Sequence, residues 1–133
     1  MIMGLAHVCF IVADLERAVA FYRDKLGFEP AFDFVNAQGA EFGQYLHAGR
    51  GTFVELFQGE LKPVAEGQSY RHLCLQVDDI QATSAELRRR GVEVSEVKKG
   101  TDNSWQAWLA DADGNRIELH QYTPESKQGP WVR

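Results

Sequence analysis

The chain has 133 residues, 44% of them hydrophobic, with a formal net charge of −5 and a pI near 5.3. That length suits one domain with a substantial core, the composition argues against a disordered chain, and the acidic balance argues against a nucleic-acid or anionic-membrane surface. No apolar run approaches the ~20 residues that span a bilayer, the N-terminus lacks the basic and apolar regions of a signal peptide, and Cys9 and Cys74 are too few for a disulfide framework, so a cytoplasmic protein with free thiols is expected.

In chain order, residues 4–12 form the first predicted strand. Asp14 offers an N-cap, and Leu15, Ala18, Val19, Tyr22 and Leu26 recur at helical spacing until Gly27 ends the helix. Three strands are expected next, at 28–35, 40–47 and 51–58, rich in Phe and broken at Asn36, Gly39, Gly49 and Gly51. Residues 59–68, with Lys62-Pro63, Gly67 and few apolar side chains, read as a linker. The second half repeats the order. A strand at 69–77 runs into Asp78, an N-cap whose capping box Gln81 completes. Ile80, Ala85 and Leu87 give that helix an apolar stripe, and Arg88-Arg89-Arg90 lies at its end, where cations meet the negative end of the dipole. Gly91 stops it. Strands are expected at 92–97, 104–110 and 115–122, and residues 123–133, with Pro124 and Pro130, read as an irregular arm.

The halves are copies. Ala6-His7-Val8-Cys9-Phe10-Ile11-Val12 answers to Arg71-His72-Leu73-Cys74-Leu75-Gln76-Val77, and Gly51-Thr52-Phe53-Val54-Glu55-Leu56 to Gly114-Asn115-Arg116-Ile117-Glu118-Leu119. The expected fold is α+β: two β-α-β-β-β modules, at 4–58 and 69–122, in a single domain spanning 1–133. One such unit exposes a sheet face that it cannot cover alone, and a second copy is the natural cover.

Each copy carries one His and one Glu inside apolar runs. Side chains alternate along a strand, so His7 shares a face with Cys9 and Ile11, and Glu55 shares one with Phe53 and Phe57. A lone strand His is ordinarily structural and a lone strand Glu ordinarily faces water, but recurrence at matching points suggests a shared task. A buried carboxylate needs a partner, a proton or a metal. His7, Glu55, His72 and Glu118 together form a coherent divalent-metal set. Cys9 and Cys74 either line the pocket beside the histidines or act as small buried hydrophobes. His120 shares Glu118's face, as a support or as an exposed strand end. The Asp111-Ala112-Asp113-Gly114-Asn115 stretch reads as a hairpin turn, since its Gly is misplaced for a calcium loop. If Asp113-Gly114 sets the register, Trp105 faces the same side as Glu118, and a one-residue slip would substitute Trp108.

These features resemble the vicinal oxygen chelate superfamily of glyoxalases, bleomycin resistance proteins and extradiol dioxygenases. The resemblance covers nearly all of 4–122 and rests on His7, residues 14–27 (Asp14-Leu15-Glu16-Arg17-Ala18-Val19 to Lys25-Leu26-Gly27), Glu55, residues 72–80 and residues 111–119, where the family's usual Pro is replaced by Ala112. It implies an open cupped mixed sheet around one metal, with the first and last strands of a module side by side, so that His7 neighbours Glu55 and His72 neighbours Glu118. Within the superfamily, extradiol dioxygenases and fosfomycin-modifying enzymes lack an acid where Glu55 stands, methylmalonyl-CoA epimerases usually have Gln there, and bleomycin-binding members lack the metal set. All four residues together look most like glyoxalase I. The implied function is proton transfer through a metal-stabilised enediolate on a hemithioacetal of a 2-oxoaldehyde. Glu118 is expected as base, Glu55 as ligand and second base, and Phe53, Phe57, Cys74 and Trp105 as pocket lining. The alternatives are another metalloenzyme of the superfamily (an epimerase, dioxygenase or thiol transferase) or a protein that sequesters a small molecule. The metal is one of Ni, Zn, Co, Mn or Fe, and a homodimer is implied, each cup being built within one chain or from halves of two. One departure bears on substrate. Where similar short bacterial glyoxalases hold the γ-glutamyl end of glutathione with an Arg and an Asn, this chain has Ile11 and Gly59. A thiol other than glutathione is expected, unless basic residues such as Lys127 or Arg133 replace that pair.

Overall fold

The structure, a computed structural model, describes residues 1–63 and 67–132. Residues 64–66 of the expected linker, and Arg133, lie outside the described residues. The chain divides into two compact units, Met1–Glu66 and Gly67–Arg133.

In the first unit, β1 (His7–Val12) leads to α1 (Leu15–Ala20), which continues as a π-helical turn over Phe21–Lys25; β2 (Glu29–Val35), β3 (Glu41–Gly49) and β4 (Thr52–Gln58) follow. The sheet order is β1-β4-β3-β2, with β1 parallel to β4 and the remaining pairs antiparallel. Asp14 caps α1 as its residue type demands, its carboxylate accepting from the Arg17 N–H at 3.0 Å. Leu15, Ala18, Val19 and Tyr22 turn inward, and with Phe10, Val12, Leu46, Val54 and Leu56 they make the core. Burying each of the larger side chains contributes about 1.5–3 kcal/mol. The alternation of β1 places Phe10 and Val12 in that core and leaves His7, Cys9 and Ile11 on the opposite face.

The second unit repeats the plan with β5 (Leu73–Gln76), α2 (Ile80–Arg89), β6 (Lys98–Lys99), β7 (Trp105–Ala110) and β8 (Arg116–Gln121), in the order β5-β8-β7-β6 and with β5 parallel to β8. Ile80, Leu87, Val92, Ala107, Leu109, Ile117 and Leu119 form its core. The repeated β-α-β-β-β modules and the α+β class stand as expected, each sheet open at both edges.

Three local expectations are corrected. The cap of α2 is Asp79, not Asp78: its carboxylate accepts from the Ala82 N–H at 2.9 Å. The strand expected at 69–77 pairs only over Leu73–Gln76. Residues 92–97 form no strand, because the Arg88 guanidinium takes the carbonyls of Val94 and Ser95 that a ladder would use. One device recurs that the alternation does not announce. Gln58, ending β4, accepts the Leu15 N–H at 2.7 Å, and Gln121, ending β8, accepts the Ile80 N–H at 2.8 Å. The last strand of each unit thus satisfies one of the unpaired donors at the start of that unit's helix. No described helix is long and apolar enough to cross a membrane.

Candidate metal centre

In unit one the face of the sheet away from α1 carries His7 and Cys9 from β1, Phe53, Glu55 and Phe57 from β4, and Tyr45 and His47 from β3. The register sets Glu55 between Cys9 and Tyr45, and Phe53 between His7 and His47. His7 therefore reaches Glu55 diagonally, Nε2 to Oε1 at 3.9 Å, with the His7 side chain 40% exposed and that of Glu55 17%. The Tyr45 hydroxyl meets His7 Nδ1 at 2.9 Å, which orients the ring and leaves Nε2 toward Glu55. A histidine that binds metal through one nitrogen commonly engages a polar partner with the other. Desolvation, and then a hydrogen bond to the adjacent Glu55, raise the Cys9 thiol pKa. Aromatic rings fill the rest of the face. Phe32 and Phe53 stack on Tyr45 with centroids 4.7 and 4.8 Å away, and Phe34 lies 5.0 Å from Phe57. Phe57 sits over Gly43, where a Cβ would approach its ring to 2.4 Å, so only glycine lets the ring lie there.

In unit two Glu118 lies opposite Cys74 on one side and Trp108 on the other. Its Oε2 is 3.0 Å from His72 Nε2 and its Oε1 is 2.9 Å from His120 Nδ1. The His72 side chain is 34% exposed, whereas those of Glu118 and His120 are each 8%. His120 is thus buried against Glu118 rather than a free strand end. Its Nε2 has no hydrogen-bond partner among the described residues and lies 3.6 Å from Asp102 Oδ2. The Gln128 amide (2.6 Å) and then the Ser104 N–H hold the Asp102 carboxyl below its usual range. Desolvation, then the charges of Glu118 and Asp102, push the Cys74 thiol up to about 12. Neither cysteine is the buried hydrophobe that one reading allowed; both are exposed.

Trp105 does not share Glu118's face. It pairs with Gln121, while Trp108 stands opposite Glu118 and packs edge-on against His72 with centroids 4.8 Å apart. The cause is a turn of three residues where two were expected. The Asp111 carboxylate accepts from the N–H groups of Asp113 and Asn115, so residues 112–114 cross over and every pairing moves by one. The Arg116 guanidinium covers the Trp108 ring at 4.3 Å.

The structure brings the four anticipated residues together two by two, His7 with Glu55 and His72 with Glu118. The donor chemistry fits a divalent ion. Among the described residues, imidazoles rather than Lys or Arg meet these two carboxylates, and one ligand atom each from Cys74, Glu118 and His120 lie within 4.8 Å of one another. Sequence reading missed Tyr45 and His47. Their alternation with Gly43 along β3 was the available signal, but only the register ties them to His7 and Phe53. At the far end of β1, Ile11 lies opposite Phe57, and the Gly59 N–H donates to the Val12 carbonyl at 3.0 Å. A Cβ on Gly59 would come within 2.6 Å of Ile11 Cγ2.

Residues 4–119 match the Glyoxalase/Bleomycin resistance protein/Dioxygenase superfamily. The chain is similar to a lactoylglutathione lyase of Haemophilus influenzae, 30% identical over 129 residues covering 88% of this chain and 91% of the relative. It is also similar to the mitochondrial methylmalonyl-CoA epimerase of Homo sapiens, 29% identical over 129 residues, 88% of this chain and 73% of the relative. Among solved structures it resembles TnmS3, an antibiotic binding protein from Streptomyces sp. CB03234, with a TM-score of 0.71 and 30% identity over 92% of this chain and 98% of that one.

Proposed function

This chain belongs to the glyoxalase/bleomycin resistance protein/dioxygenase superfamily, and within it we propose a divalent-metal-dependent isomerase or lyase of the glyoxalase I type. The observation that supports it most is the duplicated His–Glu pair, at 3.9 Å in one unit and 3.0 Å in the other. A protein that only sequesters a ligand has no need of two such pairs.

In this reading His7, Glu55, His72 and Glu118 hold one ion, and Ni, Zn, Co, Mn or Fe suits that mixed nitrogen and oxygen set. A divalent cation held there would supply Lewis-acid stabilisation of the negative charge that develops as the carbon proton leaves. The remaining work falls to side chains. Glu118 takes the proton from the carbon that bears the sulfur and returns it to the neighbouring carbon, converting a hemithioacetal into a 2-hydroxyacyl thioester without net redox change. Glu55, the counterpart of Glu118 in unit one, serves as ligand and second base. Phe53 and Phe57 cover the apolar part of the substrate and exclude water, with Trp108 taking the place first given to Trp105. Ile11 and Gly59 offer no charged or amide contact to a γ-glutamyl carboxylate, which favours an adduct of a thiol smaller than glutathione. A homodimer and a cytoplasmic address, the latter supported by two unpaired cysteines, complete the reading.

The test is a panel of methylglyoxal hemithioacetals made with glutathione, cysteine and simple mercaptans, offered to nickel- and zinc-loaded protein. Turnover is expected, with a KM for the glutathione adduct about 100-fold or more poorer than for the best small adduct, since two lost charge-assisted contacts are worth roughly 1.5–3 kcal/mol each. Metal bound at full stoichiometry with no turnover of any adduct would sink the lyase reading. It would favour the second one, sequestration of a ring-bearing ligand, which the exposed Phe32 and Phe42 on the aromatic side of unit one support.

A further inference from the structure

We propose that His120, backed by Asp102, is the positioning residue for Glu118, an inference that rests on Glu118 being a metal ligand and base. A strand glutamate can rotate about its last torsion, so a carboxylate that must present one oxygen to an ion or a proton has to be held by a neighbour. Strand period places His120, two residues on, beside Glu118 on the same face. Its Nδ1 takes Oε1 at 2.9 Å, and the other oxygen, Oε2, is left toward His72 at 3.0 Å. An ionised carboxylate only accepts, so Nδ1 is the donor in this contact whenever Glu118 is ionised.

Behind the imidazole lies a second carboxylate, close enough to act by charge though not by a hydrogen bond. Its Nε2 faces Asp102 Oδ2 at 3.6 Å. Asp102 is tied to the C-terminal arm, accepting from the Gln128 amide at 2.6 Å through its side chain and from the Lys127 N–H at 2.9 Å through its carbonyl. The Ser126 hydroxyl, also in the arm, meets the Ser104 hydroxyl at 2.7 Å, beside Asp102. A chain of contacts thus runs from the arm through Asp102 and His120 to one oxygen of Glu118.

The repeat supplies an internal control. Glu55-Leu56-Phe57-Gln58 is the counterpart of Glu118-Leu119-His120-Gln121, and where His120 stands unit one has Phe57. Glu55 is met by the Cys9 thiol and by His7, whose Nε2 stands 3.9 Å off, beyond hydrogen-bond distance. The two carboxylates are therefore unequal: Glu118 is fixed at one oxygen, and Glu55 is not.

The experiment titrates nickel into wild type, His120→Leu, His120→Asn and Asp102→Asn, with thermal melts for folding and steady-state rates on the best hemithioacetal. Loss of a group that orients a ligand costs about 10- to 100-fold in metal affinity or activity. His120→Leu should lose that much in nickel affinity and in kcat, with KM nearly unchanged. His120→Asn, which keeps a donor near the place of Nδ1, should recover most of both, and Asp102→Asn should show a smaller loss. A folded His120→Leu within twofold of wild type in both readings overturns the proposal. So does loss of all nickel binding in His120→Leu and His120→Asn alike, which would make His120 a ligand. Should His120→Leu not fold, Asp102→Asn decides, and a change under twofold counts against the proposal. If wild type binds nickel but turns over nothing, the lyase reading falls while the affinity series still reads the role of His120.

Discussion

Glu118 sits between two imidazoles, whereas Glu55 sits between a thiol and one imidazole. The four candidate ligands were legible in the sequence because each is chemically out of place in an apolar run, and because each is out of place twice. Tyr45 was not assignable to the site, since its role depends on a pairing 38 residues away in the chain; His120 and Trp108 were legible only as alternatives between which the strand register decides. His7→Ala and His72→Ala should each lower nickel stoichiometry well below one per site in a metal analysis at modest metal concentration; full occupancy in either would refute the four-residue set. Glu118→Gln is nearly isosteric and should keep most of the metal while turnover falls about 100-fold or more, the loss expected for a missing general base. Unchanged turnover would remove Glu118 from proton transfer.

At the scale of the element, both helices were legible because period and terminal glycine agree, although the cap of α2 falls one residue later than the pattern suggests. What the pattern could not reveal is that each helix start is satisfied by a glutamine more than forty residues away, Gln58 for α1 and Gln121 for α2. Gln121→Leu should strand the Ile80 N–H and lower stability by about 1–2 kcal/mol in urea unfolding; a loss under about 0.3 kcal/mol would show that water replaces the amide. The end of α2 carries a pH signature. The guanidinium groups of Arg89 and Arg90 hold the exposed Glu86 carboxyl down at about 2, below its ordinary 4.5. A depressed carboxylate adds stability that is present above its unfolded pKa and lost as pH falls through the folded one. The melting-temperature gap between wild type and Glu86→Gln should therefore shrink from pH 5 toward pH 2. Because the pair is on the surface, that gap should also be small and should diminish in salt. A gap that widens on acidification would contradict this reading. The missing strand at 92–97 and the shifted Trp105 share one cause: a side chain, Arg88 in one case and Asp111 in the other, took backbone groups that a strand or a two-residue turn would have used.

For the molecule as a whole, the fold could be read because it is written twice. Each unit reproduces the strand order of the other, with the first and last strands parallel and adjacent. That adjacency makes the His–Glu pair of a unit, and it needs nothing beyond that unit. A two-fold homodimer is the expected assembly, to be checked by light scattering of the metal-loaded protein at micromolar concentration. A monomer with metal bound and full activity would rule the dimer out and place the whole site within one chain.

The contact between Ile11 and Gly59 constrains the order in which a lineage could change its thiol. Any side chain at 59 would arrive within 2.6 Å of Ile11 Cγ2, so Gly59→Asn as a first step meets an occupied space. Such overpacking typically costs 1–3 kcal/mol. Ile11→Arg meets no such barrier, because Ile11 is 47% exposed, and it vacates the spot that the second change requires. Under the proposed reading, in which positions 11 and 59 face the thiol, the change at position 11 therefore comes before the change at position 59. In chemical denaturation, Gly59→Asn alone should be the least stable of the four combinations, with the double variant recovering most of the loss. Equal stability of Gly59→Asn and wild type would mean that the path is open in either order.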